Sequence, residues 1–293
     1  MENKIDKPFV WKRMKGRLAR NTILQALFFF ATVFGLIVLM LLLSRVIMQA
    51  IGWLDGDFLN SFPSRRPEEA GIKSGLIGSL WLMAIVAPVS FILGVGTAIY
   101  LEEYARKNRF TAFIQTNISN LAGVPSIVFG LLGLTIFVRE LGLGRSVLAA
   151  GLTMSLLVLP VIVVAAQEAI RAVPQQLREA SYAMGATKWQ TVCRVVLPAA
   201  LPGMLTGAIL ALSRAVGETA PLVVLGIPTF IAYLPSDVLD TFTVMPLQIY
   251  NWTGRPQEEF QHVAAAGIVV LLVFLVVMNS VAVLIRNKFQ KRF

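Results

Sequence analysis

Hydrophobic and polar positions along this chain separate into long blocks: six apolar runs divided by polar connections of unequal length. The first covers residues 23–48, and its 21 residues from 23 to 43 carry no charge. Such a run suits a membrane helix, because about 20 residues rising ~1.5 Å each cross a ~30 Å hydrocarbon core. It is too long for a signal-peptide core and lacks a small-residue cleavage site, so it predicts an uncleaved first transmembrane helix. A basic tail at 1–22 precedes it, and a polar excursion at 49–73 follows, marked by Gly52, Asp55-Gly56, Pro63 and Pro67 as turns. The other runs fall at 74–101, 112–138, 147–166, 204–227 and 262–285. Their glycines and prolines suit close helix packing and local unwinding around a pathway. A second long excursion occupies 228–261, and a short basic tail closes the chain at 287–293. The pattern predicts an all-α membrane protein with six transmembrane helices, five of them in one transmembrane domain over 74–286.

Composition agrees: 56% hydrophobic and 14% charged residues, with a mean hydropathy of +0.72, exclude a water-soluble domain. The net charge of +10 does not point to nucleic acid, because the basic residues sit at the ends of apolar runs instead of in one patch. It sets orientation. The N-terminal tail, the loop after the second run, the segment 171–203 and the C-terminus hold eighteen of the 26 Lys and Arg residues. The other three connections hold six. The positive-inside rule therefore places both termini and the segment 171–203 in the cytoplasm, and the excursions 49–73 and 228–261 outside. Cys193 stands alone, so no intrachain disulfide forms. One His and one Cys, far apart, make neither a metal cluster nor a His-based triad, and His262 is expected at the surface. No phosphate-loop motif with its Lys is present, so the chain has no ATP site of its own.

The segment 171–203 is the one long stretch that is both helix-forming and polar. Gly185 divides it into two short helices at a new angle, since glycine tolerates positive φ. Trp189, Val192, Cys193 and Val196 recur at helical spacing as an apolar stripe, and Pro198 and Pro202 are expected to end the second helix. Arg171, Arg178, Lys188 and Arg194 form a charged rim. Glu179-Ala180-Ser181, Gly185, Val195 and Leu197-Pro198 stand in the register of the Glu-Ala-Ala signature of bacterial ABC importer permeases, with Ser for Ala and Val for Ile. The resemblance implies the type I ABC importer permease fold. It also implies that Glu179, Ala180, Ser181, Gly185, Trp189, Leu197 and Pro198 belong to a cytoplasmic coupling helix that docks on an ATPase.

Inside the fifth run stands Ser213-Arg214-Ala215-Val216-Gly217-Glu218-Thr219-Ala220-Pro221. Arg214 lies near mid-membrane, with Glu218 one turn on. A central charge costs about 2.5–3.5 kcal/mol on the lenient insertion scale, so such groups face a cavity or a partner. Arginine's planar fork suits tetrahedral oxyanions, while an internal ion pair that only fixes packing is the plainer alternative. The run resembles phosphate importer permeases of the PstA type, as do Ser61 to Arg65, Ala70 to Ile72, and Pro246 to Trp252. That resemblance implies translocation of inorganic phosphate across a bacterial inner membrane. Ser213, Arg214, Glu218 and Thr219 would lie in the substrate pathway. It further implies a related PstC-type permease, two ATPase subunits that bind ATP and magnesium, and a periplasmic phosphate-binding protein. Another oxyanion (phosphonate, sulfate or molybdate) remains open. An intramembrane enzyme is disfavoured because only Glu218 is available as acid or base beside Arg214, and a passive channel has no use for the docking segment.

Overall fold

A computed structural model describes residues 7–106 and 108–289. Among the described residues it is helical, with one isolated antiparallel bridge between Ser146 and Thr241. Helix α1 runs unbroken from Lys7 to Ala50. The basic stretch expected as a separate tail is therefore helical from Lys7 and continuous with the first span; residues 1–6 lie outside the described residues. Lys and Arg are good helix formers, and Pro8 falls in the first turn, where its missing N–H costs nothing. Helix α2 (Gly56–Asn60) starts at Asp55, whose carboxylate accepts from the Phe58 N–H at 2.7 Å. Helix α3 (Lys73–Ile99) ends in a π-helical turn, Tyr100–Tyr104.

The third apolar run is not one straight helix. Helix α4 (Arg109–Leu121) and helix α5 (Ser126–Gly133), which continues through a π-helical turn at Leu134–Glu140, meet at an angle of 104°. Gly123 and Pro125 explain the break: proline has no N–H to donate and pushes the residue before it out of the helical region. Counting this bent pair as one span gives the expected six; five helices are long and apolar enough by themselves. Helix α6 (Val147–Arg171) passes through Pro160 and is followed by α7 (Gln175–Ala183).

Pro198 and Pro202 do not end the next helix, contrary to expectation. Helix α8 (Lys188–Thr191) widens into a π-helical turn, Val192–Val196, and continues as α9 (Leu197–Gly217). Pro198 thus occupies the first turn of α9, directly after a turn where no tight i→i−4 bond is required of it. Helix α9 stops at Gly217; the chain is extended at Glu218 and coils again as α10 (Ala220–Leu225). The second excursion is not free loop either. It contains α11 (Met245–Thr253), which buries Met245, Leu247, Gln248 and Trp252 before α12 (Glu259–Phe289) closes the bundle.

Three buried clusters lie along the bundle. One, at the end carrying the long excursions, joins Phe58, Ile72, Trp252 and Phe260. A central one joins α3, α6, α9 and α10 through Val86, Met154, Val158, Ala211 and Leu222. The third joins Ala98, Ala166, Ile170, Val196 and Met204 at the end carrying α7 and α8. Helices α6 and α9 approach closely because Gly203 and Gly207 face Ala169 and Ala165, small residues one turn apart on both helices. His262 is half-buried instead of standing free at the surface: its Nδ1 lies 2.9 Å from the Gln49 carbonyl, and its ring stacks on Trp53. It joins α12 to the end of α1, whose most apolar stretch is otherwise uncovered by the chain's own fold.

Gly78 gives a direct test of this packing. A β-carbon there would fall 1.9 Å from the Thr243 carbonyl oxygen, a backbone atom that cannot swing aside. Gly78→Ala is expected to destabilise the bundle by about 1–3 kcal/mol, the usual cost of overpacking. A lowered midpoint of thermal unfolding in detergent checks it; an unchanged midpoint contradicts the packing described.

Candidate functional site

Two features away from the excursion end bring together the residues singled out in the sequence. The first is the elbow between α7 and α8. Gly185 has φ +80°, the left-handed conformation that the turn requires, and nothing lies within 4 Å of where its β-carbon would be. Thr187 caps α8 reciprocally with Gln190: the Gln190 N–H donates to the Thr187 hydroxyl, and the Thr187 N–H donates to the Gln190 side-chain oxygen. The Ser181 and Thr191 hydroxyls, 2.9 Å apart, close the angle. Glu179, Ala180 and Gly185 are exposed, while Leu197 and Pro198 are half-buried at the start of α9.

The stripe expected on the second short helix divides. Val192 and Val196 are buried, but Trp189 is 66% exposed, beside the 89% exposed Met184 and the exposed Tyr182. Large apolar side chains left bare on an otherwise polar end mark an interaction surface. The charged rim also needs correcting. Arg178 is only 12% exposed and faces inward, pairing with Glu103 at 3.0 Å, while Arg171 pairs with Glu102 at 2.6 Å. The Glu103 carboxylate draws the Arg178 guanidinium inward, whereas Arg171, 48% exposed beside Glu102, stays on the rim with the exposed Lys188 and Arg194.

The second feature surrounds Arg214. A cavity of about 120 Å³ opens between the break at the end of α4, the middle of α6 and the last turns of α9. Leu121, Val124 and Ser126 come from the break, Val158 and Val161 from α6, and Arg214 is the one charged residue among the described residues lining it. Arg214 lies level with the middle of α6. Its side chain is 68% exposed, and Nε stands 3.9 Å from a Glu218 carboxylate oxygen. That contact is an ion pair without a hydrogen bond, and among the described residues the guanidinium donates to no other acceptor. Glu218 is the more covered partner, 19% exposed, at the point where α9 unwinds.

The other two residues predicted for the pathway sit apart from this cavity. The Ser213 hydroxyl donates to the Ile209 carbonyl and lies 2.5 Å from the Asn279 side-chain oxygen of α12, so it faces a different helix. The Thr219 hydroxyl donates to the Gly217 carbonyl, at 3.4 Å. Sequence reading missed the break at residues 121–126, although Gly123 and Pro125 inside an apolar run were its signal. It also missed Gln167 and Asn279, polar residues in otherwise apolar helices, and the Glu102-Glu103 pair.

The excursion end carries polar chemistry of another kind. Arg255 donates to the Asn251 side chain and the Ser64 carbonyl and lies over the Phe260 ring at 4.3 Å, tying the two excursions together. Burial, then the neighbouring Arg65 charge, moves this guanidinium below its ordinary pKa. The Ser236 hydroxyl and the N–H groups of Ser236 and Asp237 hold the Asp240 carboxyl below its usual value. Both groups fasten loops.

A membrane-spanning helical bundle with a charged internal cavity and a bare elbow on one end has the makings of a transport permease subunit. The model of the binding-protein-dependent transport system inner membrane component matches residues 90–292, and the chain belongs to that family. It is 37% identical to the phosphate transport system permease protein PstA 1 of Mycobacterium tuberculosis (strain CDC 1551 / Oshkosh), over 96% of this chain and 93% of that one. It is 30% identical to the phosphate transport system permease protein PstA of Yersinia pestis, over 93% and 90%. A probable ABC transporter permease protein of Bacillus subtilis (strain 168), YqgI, is 33% identical over 82% and 86%. Among solved structures, the inward-facing MetNI methionine ABC transporter aligns with a TM-score of 0.62 at 19% identity, over 74% of this chain and 95% of that one. A bacterial ABC transporter involved in import of the acidic polysaccharide alginate aligns at 0.59 and 18%, over 95% and 100%. The fold is that of type I ABC importer permeases, as expected.

Proposed function

We propose that this chain is the PstA-type permease subunit of a phosphate importer, moving inorganic phosphate across the inner membrane while a separate ATPase supplies the energy. The carrying observation is Arg214, a guanidinium without hydrogen-bonded partners among the described residues that lines a cavity beside a broken span. Its planar fork makes paired, charge-assisted bonds to a tetrahedral oxyanion, replacing part of the anion's hydration shell. Glu218 restrains the guanidinium between substrates. The similarity to two PstA proteins along nearly the whole chain supports phosphate as the anion.

The distribution of Lys and Arg supports both termini and the elbow on the cytoplasmic side, with the excursions in the periplasm. The elbow then faces the ATPase. Glu179, Ala180, Ser181, Gly185 and Trp189 form its docking surface, and Leu197 and Pro198 root it in α9. Two ATPase subunits would bind the ATP and magnesium, a PstC-type permease would complete the pore, and a phosphate-binding protein would deliver the anion to the excursion end. The test is uptake of labelled phosphate by the complex reconstituted in proteoliposomes. ATP-dependent uptake that excess phosphate suppresses and excess sulfate or molybdate does not is the expected result. Suppression by sulfate or molybdate instead reassigns the anion, and uptake without ATP contradicts the importer reading.

A further inference from the structure

Three consecutive side chains of the π-helical turn Tyr100–Tyr104 hold four different helices. One Glu102 carboxylate oxygen accepts from Gln167 at 2.9 Å and Arg171 at 2.6 Å, both on α6, and from Gln115 on α4 at 3.3 Å. Glu103 accepts from Nε and Nη2 of Arg178 on α7, at 3.2 and 3.0 Å. The Tyr104 ring lies under the Lys188 ammonium of α8, 5.0 Å from its centroid. Single π-helical turns inside helices recur at functional positions, and here the turn ends α3 where the elbow begins.

Arg178 is the most heavily engaged of these groups. Besides Glu103, its guanidinium donates to the Val173 carbonyl at 2.7 Å and the Ile170 carbonyl at 2.9 Å. Those carbonyls lie at and just past the C-terminal end of α6, where helical bonding runs out; the Ile170 carbonyl also accepts from the Val173 N–H at 3.2 Å. Glu103 is itself 9% exposed. A side chain of α7 therefore seals the end of α6 and grips the end of α3 at once, and it cannot move without carrying both.

We infer that this turn is the strut that passes displacement of the elbow to the Arg214 cavity, with Glu103 and Arg178 as its positioning residues. The inference rests on the ATP-driven permease reading above. Force enters through Arg178 and Lys188, crosses the turn, and leaves through Glu102. From there it divides between α6, which contributes Val158 and Val161 to the cavity, and α4, whose last residue Leu121 lines it. Helix α4 has no buried side chain, so its polar bond to Glu102 is a main tie to the bundle at that end. A charged brace suits this task, because losing either partner strands the other in a covered site.

The test uses the whole reconstituted complex and measures ATP hydrolysis and phosphate uptake on the same vesicles. In Glu103→Ala and Arg178→Ala, the complex is expected to assemble and to hydrolyse ATP at near the unaltered rate. Phosphate moved per ATP should fall about tenfold, and the double variant should be no worse than the poorer single, as groups acting as one unit behave. A purely structural brace would lower the amount of complex and leave the ratio per assembled complex unchanged; that result overturns the inference. Effects that multiply in the double variant, or loss of assembly in both singles, overturn it as well. Absence of ATP-dependent uptake in the unaltered complex is a separate outcome, since it removes the permease reading itself before either variant is compared.

Discussion

Gly185→Val is expected to abolish ATP-driven phosphate uptake while the chain still inserts in the membrane. The φ of +80° at this position is the cause. A β-branched residue in the left-handed region is a genuine outlier, and L-residues there carry roughly 1–2 kcal/mol of strain. Space is not the obstacle, because nothing stands within 4 Å of the β-carbon position. Valine relieves the strain by leaving the left-handed region, which re-aims α8, parts the Ser181 and Thr191 hydroxyls and moves Trp189 relative to Met184. The docking surface is then lost although every apolar span is unchanged. Gly185→Asn, which tolerates positive φ, should keep a substantial part of the uptake. Insertion is checked by recovery of the chain in the membrane fraction and docking by copurification with the ATPase. Normal uptake by the valine variant contradicts the role given to the elbow.

Arg214→Gln is expected to lower phosphate uptake by at least about thirtyfold, since a hydrogen-bonded charge contact that the bound anion shields from water is worth some 2–5 kcal/mol and each 1.4 kcal/mol is tenfold. Arg214→Lys keeps the charge and loses the planar fork, so uptake should fall steeply and remain measurable. Both variants should still assemble with the ATPase, because the elbow lies at the far end of α9 from Arg214. Glu218→Gln should retain partial uptake, since a Gln carbonyl still accepts from the guanidinium. A Lys variant as active as the unaltered protein would show that charge alone, without paired hydrogen bonds, is what the cavity supplies.

The spans and the elbow were legible because their causes are local. Runs near 20 apolar residues make membrane helices almost regardless of neighbours, and Gly185 takes the positive φ that its place between two helical stretches predicts. What failed depended on partners distant in sequence or on helix variants. Pro198 reads as a stop until the π-helical turn before it is known. Arg178 reads as a surface charge until Glu103, 75 residues earlier, is brought beside it. Trp189 fits the period of Val192 and Val196, but among the described residues no helix buries its face. Arg214, at the cavity, and Glu218 beside it were identified by the cost of charge in an apolar run, whereas Ser213 came only with the family resemblance of the run. A step of one residue turns a helix by about 100°, which carries Ser213 to Asn279 instead. The excursion 228–261 looked like solvent loop because its polar residues mask α11, whose apolar side packs on α3 and α12.

The sharpest measurement is phosphate uptake by the complex carrying Arg214→Gln and Glu218→Gln together. Neutralising both partners removes the unbalanced charge that either single change leaves behind. If Arg214 contacts the anion, the double variant assembles with its ATPase and still fails to take up phosphate. Recovery of uptake to near the unaltered level would mean that the pair only balances itself inside the bundle, and would contradict Arg214 as the phosphate contact.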